Sequence, residues 1–265
     1  MKWLVTGDTH GAVATRLMNI GETDYPKDDT AIIILGDAGI NFYLNKTDAK
    51  NKKIINNMGY RVYCVRGNHE ERPENLPYIV YIHDHDVNGL VIYEPDYPNI
   101  RYLIDGNTYL INDHSVLVIG GAYSVDKWYR LSRAPEGAKW TGWFEQEQLD
   151  TEEMAEIERY HAGNHYDFVL SHTCPESWQP FDLFLPGLDQ STVDKTMEVW
   201  LEDFRHKITY DAWLFGHFHD DRLVRPHVEM YYTDIEELET IYHRWTSGEE
   251  VPWWLKKDPN YEAVL

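Results

Sequence analysis

The chain has 265 residues, of which 43% are hydrophobic and 14% aromatic, a composition that excludes a disordered polypeptide and predicts a folded protein with a sizeable core. Its formal net charge of -21, from 24 basic and 45 acidic side chains, argues against a surface that as a whole binds nucleic acid or an anionic membrane. Cys64 and Cys174 are too few for a disulfide framework, the first apolar run is only Trp3 to Val5, and no stretch approaches the ~20 apolar residues of a membrane span, so a cytoplasmic protein is expected.

In chain order, the runs KWLVTG, TAIIILG, RVYCVRG, SVLVIGG, DFVLSH and DAWLFGH predict six strands that end in glycine or polar residues, as strands feeding functional loops do. Helices are predicted between several of them. Thr47 to Met58 carries Ile54, Ile55 and Met58 with Gly59 as a stop signal. Asp150 to His161 places Met154, Ile157 and Tyr160 at helical spacing behind an acidic first turn. Ser191 to Phe204 has a broad apolar stripe through Val193, Met197, Val199, Trp200 and Phe204. From Tyr78 to Ile119, short strands separated by Asn, Asp, Gly and Pro predict a meander of antiparallel pairs.

The pattern is two sheets flanked by helices, and without a repeat or linker one domain over residues 1–265 is expected. The proline-rich, aromatic segment 174–191 reads as a packed surface loop or a substrate-facing lid. In the C-terminal extension 247–265, Trp253 and Trp254 are expected to pack back onto the body, a partner interface being the alternative.

The strand ends carry the chemistry. GDTHG offers Asp8 and His10, which project to the same side of an extended segment and together present a hard oxygen and an imidazole nitrogen to a cation. LGDAG offers Asp37, RGNHE offers Asn68 and His69, SH offers His172, and GHFH offers His217 and His219. Each motif alone is commonplace; their recurrence at successive strand ends is not.

As a set they resemble the calcineurin-like metallophosphoesterases, whose D-x-H, G-D, G-N-H-[ED], H and G-H-x-H pattern is matched from residue 6 to residue 219. The resemblance implies an α/β fold, a four-layer α/β/β/α sandwich with the metal site at strand ends. It implies that Asp8, His10 and His219 hold one metal, that Asn68, His172 and His217 hold the second, and that Asp37 bridges them. Two di- or trivalent ions are expected, Mn foremost, with Fe, Zn, Co or Ni as alternatives. About 3.5 to 4 Å apart, such ions polarise a phosphoryl oxygen and activate a bridging hydroxide for in-line attack. His69, beside a ligand but facing away from it, is then the expected general acid at the leaving oxygen. Two dications over two carboxylates leave a local charge of about +2, which attracts phosphate even on an acidic protein.

The sequence departs from the protein-phosphatase branch of that superfamily. Where that branch has G-D-x-x-D-R-G, this chain reads GDAGIN: Ile40 replaces the second Asp, and the Arg is absent. The usual partner of His69 is therefore missing, with Asn41 as candidate. Arg72, Lys127, Arg130 and Arg133 are candidate phosphate contacts, since guanidinium groups suit bidentate binding of phosphate oxygens. The expected substrate is a small-molecule or peptide phosphate ester, mono- or diester, and the oligomeric state is left open. A catalytically silent scaffold and a nuclease are the competing readings, the first weakened by the full ligand set, the second by the lack of a basic stripe.

Overall fold

The computed structural model describes residues 1–136, 138, 140–184 and 191–248. In chain order its strands and helices are β1 (Lys2–Thr6), α1 (Val13–Met18), β2 (Thr30–Ile34), α2 (Lys46–Met58), β3 (Arg61–Cys64), β4 (Val80–Asp84), β5 (Gly89–Tyr93), β6 (Ile100–Leu103), β7 (Thr108–Ile111) and β8 (His114–Ile119). There follow α3 (Lys127–Arg133), α4 (Thr151–His161), β9 (His165–Ser171), α5 (Thr196–Phe204), β10 (Thr209–Phe215), β11 (Arg222–Arg225), β12 (Val228–Met230), β13 (Ile235–Glu237) and α6 (Leu238–Thr246).

Two mixed sheets result, one in the order β13-β1-β2-β3-β6-β5-β4 and the other β11-β12-β10-β9-β8-β7. The six strands expected from the apolar runs are β1, β2, β3, β8, β9 and β10, and they form the parallel centres of the two sheets. Because both faces of these strands are covered, their sequences are apolar throughout rather than alternating. In β2, Ala31 and Ile33 join Val5, Val65, Val118, Leu170 and Leu214 in the core between the sheets. Ile32 and Ile34 face outward instead, onto Val13 and Leu17 of α1 and Ile55 of α2. On the outer face of the second sheet, Leu117, Val169 and Trp213 pack with Met154 and Ile157 of α4 and Leu201 and Phe204 of α5. The layers therefore run α/β/β/α.

Local chemistry sets the helix ends. Asp150 accepts from the backbone N–H groups of Glu152 and Glu153 while the Glu153 carboxylate returns to the N–H of Asp150, a reciprocal capping box that starts α4. Helix α5 begins at Thr196 rather than Ser191, because the Asp194 carboxylate accepts from both the N–H and the hydroxyl of Thr196 and holds the chain in a turn.

The meander is not one unit. β4, β5 and β6 pair antiparallel in the first sheet, whereas β7 and β8 pair in the second. The chain crosses between sheets at 104–107, where the Tyr109 hydroxyl accepts from Ile104 N–H (2.8 Å) and donates to Leu90 O (2.9 Å). No helix among the described residues is long and apolar enough to cross a membrane.

Candidate metal centre

The C-terminal ends of the central strands of both sheets meet, and the loops after them bring the strand-end motifs together. Space there is so short that side chains must be absent next to the ligands. A Cβ on Gly67 would overlap the Asp37 carboxylate, and one on Gly216 would overlap that of Asp8. Gly67 and Gly216 thus permit close approach of two chain segments rather than an unusual backbone angle. The strain falls on their neighbours: of ten non-glycine residues with positive φ among the described residues, four are His10, Asp37, His217 and His219. A left-handed conformation costs a non-glycine residue roughly 1–2 kcal/mol, and such strain concentrates at functional sites.

Each carboxylate is pinned through one oxygen. Asp8 Oδ1 accepts from the His217 N–H and Asp37 Oδ1 from the His69 N–H, both at 2.8 Å. Asp8 Oδ2 is buried without a properly directed hydrogen bond. It lies 3.2 Å from His219 Nε2 and 3.7 Å from His10 Nε2, and those two nitrogens are 2.8 Å apart. A cation with bonds of about 2.1 Å has ligand atoms roughly 3.0–3.4 Å from one another, the range these three separations bracket.

The second group gives the same answer by a different route. His172 Nδ1–H donates to Leu35 O (2.8 Å), leaving the Nε2 lone pair facing inward. Opposite it at 2.8 Å stands Asn68 Oδ1, oriented because Asn68 Nδ2–H donates to Ser124 Oγ (2.8 Å). Two acceptors aimed at one another repel unless a cation lies between them. Asp37 stands between the groups, with Oδ2 3.9 Å from His10 Nδ1 and Oδ1 3.8 Å from His172 Nε2. Asp8, His10 and His219 thus form one set able to hold a metal, and Asp8, Asp37 and His172 form another. The residues present fit two cations.

The His217 ring is edge-on to His172, centroids 5.0 Å apart, but it belongs to neither set. Burial, with His172 adding, pushes its imidazole well below the ordinary value. The Asp8 carboxylate, 3.2 Å away, raises that of His219. His69 lies just outside the ligand cluster, its ring 6.0 Å from that of His10 and half-buried, with Nδ1 unpartnered. Burial lowers its pKa, against the pull of Asp37. Glu70 takes the Gly67 N–H (2.6 Å), and burial, with Asp37 adding, pushes its carboxyl up to about 8.

The candidate phosphate contacts separate. Arg72 is engaged in holding the fold: its guanidinium grips Glu153 and the carbonyls of Gln146 and Gln148, tying the segment after β3 to α4. Lys127 lies 4.1 Å over the Trp143 ring, and Arg133 is exposed on Tyr129. Arg130 is near His69, held by Asp126 Oδ2 (2.7 Å) and Gly142 O (2.9 Å). Asn41 makes no hydrogen bond to His69; its amide is buried near the Tyr102 hydroxyl.

Ser124 was not singled out from the sequence, nor was Glu147, whose Oε1 accepts from the Ser124 N–H (3.1 Å). The available signal was position: Ser124 follows the double glycine at the end of β8. In the 174–191 segment, Trp178 is buried edge-on to Trp213, so that part is packed structure, while Phe184 stacks on Phe218 between the two histidines of GHFH. Residues 185–190 of this segment, and Trp253 and Trp254, lie outside the described residues. A third acidic and histidine group, His165, Asp167 and Asp211, sits at the opposite ends of β9 and β10, where Asp167 already accepts from Ser115.

Residues 1–221 match the family described as Calcineurin-like phosphoesterase, a span that takes in every one of these strand-end residues. No curated protein matches the chain.

Proposed function

Since the chain belongs to the calcineurin-like phosphoesterase family, we propose that it is a dinuclear metal-dependent hydrolase of phosphate mono- or diesters. The observation that carries this reading is Asp37, with one oxygen toward His10 and the other toward His172, between two clusters of inward-facing lone pairs. Asp8, His10 and His219 would hold one ion and Asn68 and His172 the other, with Asp37 shared; His217, outside both sets but with its ring edge-on to His172, is assigned to the second ion by the family pattern alone. When bound, two such ions supply Lewis acidity to the phosphoryl oxygens and an activated water.

The chain's own groups do the rest. Asp8 and Asp37 are held rigid by backbone N–H groups from the opposite loops, so the ligand cage is formed before substrate arrives. Ser124 fixes the Asn68 amide with its oxygen inward. His69 is outside both metal sets but borders them, where a proton on its ring reaches the oxygen of the departing group. His69→Asn should lower turnover by about 10²–10⁴-fold with metal content retained.

The test is hydrolysis of a chromogenic phosphate monoester and the corresponding diester with added Mn²⁺. Turnover of either is expected, and failure of both by protein shown to hold two metals would overturn the assignment.

A further inference from the structure

Beside His69 the site has a wall of aromatic rings that the metal chemistry does not use. The Phe42 ring is perpendicular to the His69 ring, centroids 6.4 Å apart. Phe42 in turn meets Tyr43 (4.9 Å) and Trp140 (5.3 Å), and the last two lie 5.8 Å apart with an interplanar angle of 34°. Trp140 Nε1–H donates to Phe42 O (2.7 Å), which fixes the indole against the loop after β2. These rings are not closed into the core: Tyr43 is 44% and Trp140 40% exposed. Trp140 and Phe144 also line a groove of about 610 Å³.

A cation completes the wall. The Arg130 guanidinium lies 5.4 Å over Phe42, with Nε held by Asp126 and Nη1 by Gly142 O, while no described residue bonds Nη2. Its side chain is only 21% exposed, so the group is fixed rather than waving in solvent. Open aromatic faces beside a held guanidinium form a stacking platform for a planar ring.

We propose that Phe42, Tyr43, Trp140 and Arg130 bind the leaving group, and that the substrates are phosphate esters whose leaving group carries a planar aromatic ring, as an aryl or a nucleoside ester does. This rests on the reading above that His69 serves the leaving oxygen. In the step, a bond forms from a water oxygen to phosphorus, the ester P–O bond breaks and the departing oxygen takes the His69 proton, while the proton that the water gives up passes to solvent, from which His69 is reprotonated. The group on that oxygen then lies against Phe42 and Trp140. The absent protein-phosphatase arginine fits the same picture, because the cation near His69 here comes from α3 and is joined to rings.

Binding of phenylphosphonate, ethylphosphonate and adenosine 5′-monophosphate to the Mn²⁺-loaded protein by calorimetry tests this, since the two phosphonates cannot be hydrolysed and the nucleotide can be followed separately by phosphate release. Phenylphosphonate or the nucleotide should bind about tenfold or more tighter than ethylphosphonate, and the tighter of the two identifies the source of the ring. Trp140→Ala should remove most of that ratio, and Trp140→Phe, which keeps a ring, should restore it. Equal binding of all three, or a ratio unmoved by Trp140→Ala in folded protein, overturns the inference. Lack of hydrolysis with the ring preference intact would instead sink only the catalytic reading.

Discussion

Asp8 and Glu229 are both buried carboxylates, yet the protein answers their charges in opposite ways. Around Glu229, Arg244 Nη1 donates to both oxygens (2.7 Å each), the Tyr231 hydroxyl adds a bond of 2.8 Å and Trp245 Nε1–H one of 2.7 Å. Arg244 also reaches Glu236, so α6 is locked onto β12 and β13 by a closed charge network. Around Asp8 and Asp37 no Lys or Arg nitrogen comes within ion-pair distance among the described residues; imidazoles and backbone N–H groups surround them instead. Four residues with positive φ, His10, Asp37, His217 and His219, lie at the first site, whereas residues 228–246 contain none and His227 lies just before them. A buried acid that the chain neutralises itself serves the fold. One that the chain surrounds with lone pairs is a candidate site for a cation from outside.

That contrast breaks most sharply at Asp37. Asp37→Asn should remove one or both metals, seen by elemental analysis, and lower phosphoesterase turnover by about 10³-fold, corresponding to the several kcal/mol of charge stabilisation metals supply. Thermal stability should fall little or even rise, since a buried charge disappears. Arg244→Met is the mirror experiment. It strands Glu229 and should cost about 3–5 kcal/mol in urea unfolding while metal content and turnover of the folded protein hold. Similar effects of the two variants on both readouts would erase the distinction.

Ser124→Ala probes a finer point. Without the hydroxyl that orients the Asn68 amide, affinity for one of the two metals should weaken by about 10–100-fold and the other should not change, as a two-site titration resolves.

The smallest effect lies in the structural region, at Glu202. Burial opposes its charge, but Arg205 and the Ser177 N–H hold its carboxyl down to about 2, from an ordinary 4.5. A depressed carboxyl stabilises the fold above its unfolded value and loses that contribution as pH falls from 4.5 through about 2. Glu202→Gln should therefore cost about 1 kcal/mol at neutral pH and flatten that part of the acid unfolding curve. An unchanged slope would show that Arg205 and Ser177 contribute nothing there.

Much of the site was legible because its residues are tied to strand ends. A parallel strand buried on both faces is an apolar run, and the residues just past its end carry the candidate ligands; glycine marks that end before Asp8, Asp37 and Asn68, whereas His172 follows Ser171 and is found from the strand end alone. The glycines were legible too, but their reason was not, since only the packed structure shows the Asp37 carboxylate where a Gly67 side chain would be.

Sequence alone determined two sheets flanked by helices, the six central strands and which side chains offer metal-binding atoms, because periodicity and composition are local properties; the four-layer order was implied only by the family resemblance. Tertiary structure decided what depends on distant partners. It divided the meander between two sheets, turned Arg72 to Glu153, and set Ser124 on Asn68 across 56 residues of chain. It also joined Arg130 to the rings of Phe42 and Trp140. A hydrogen bond or ring contact between remote segments leaves no spacing in the sequence, and only the packing of the two sheets brings its halves within reach.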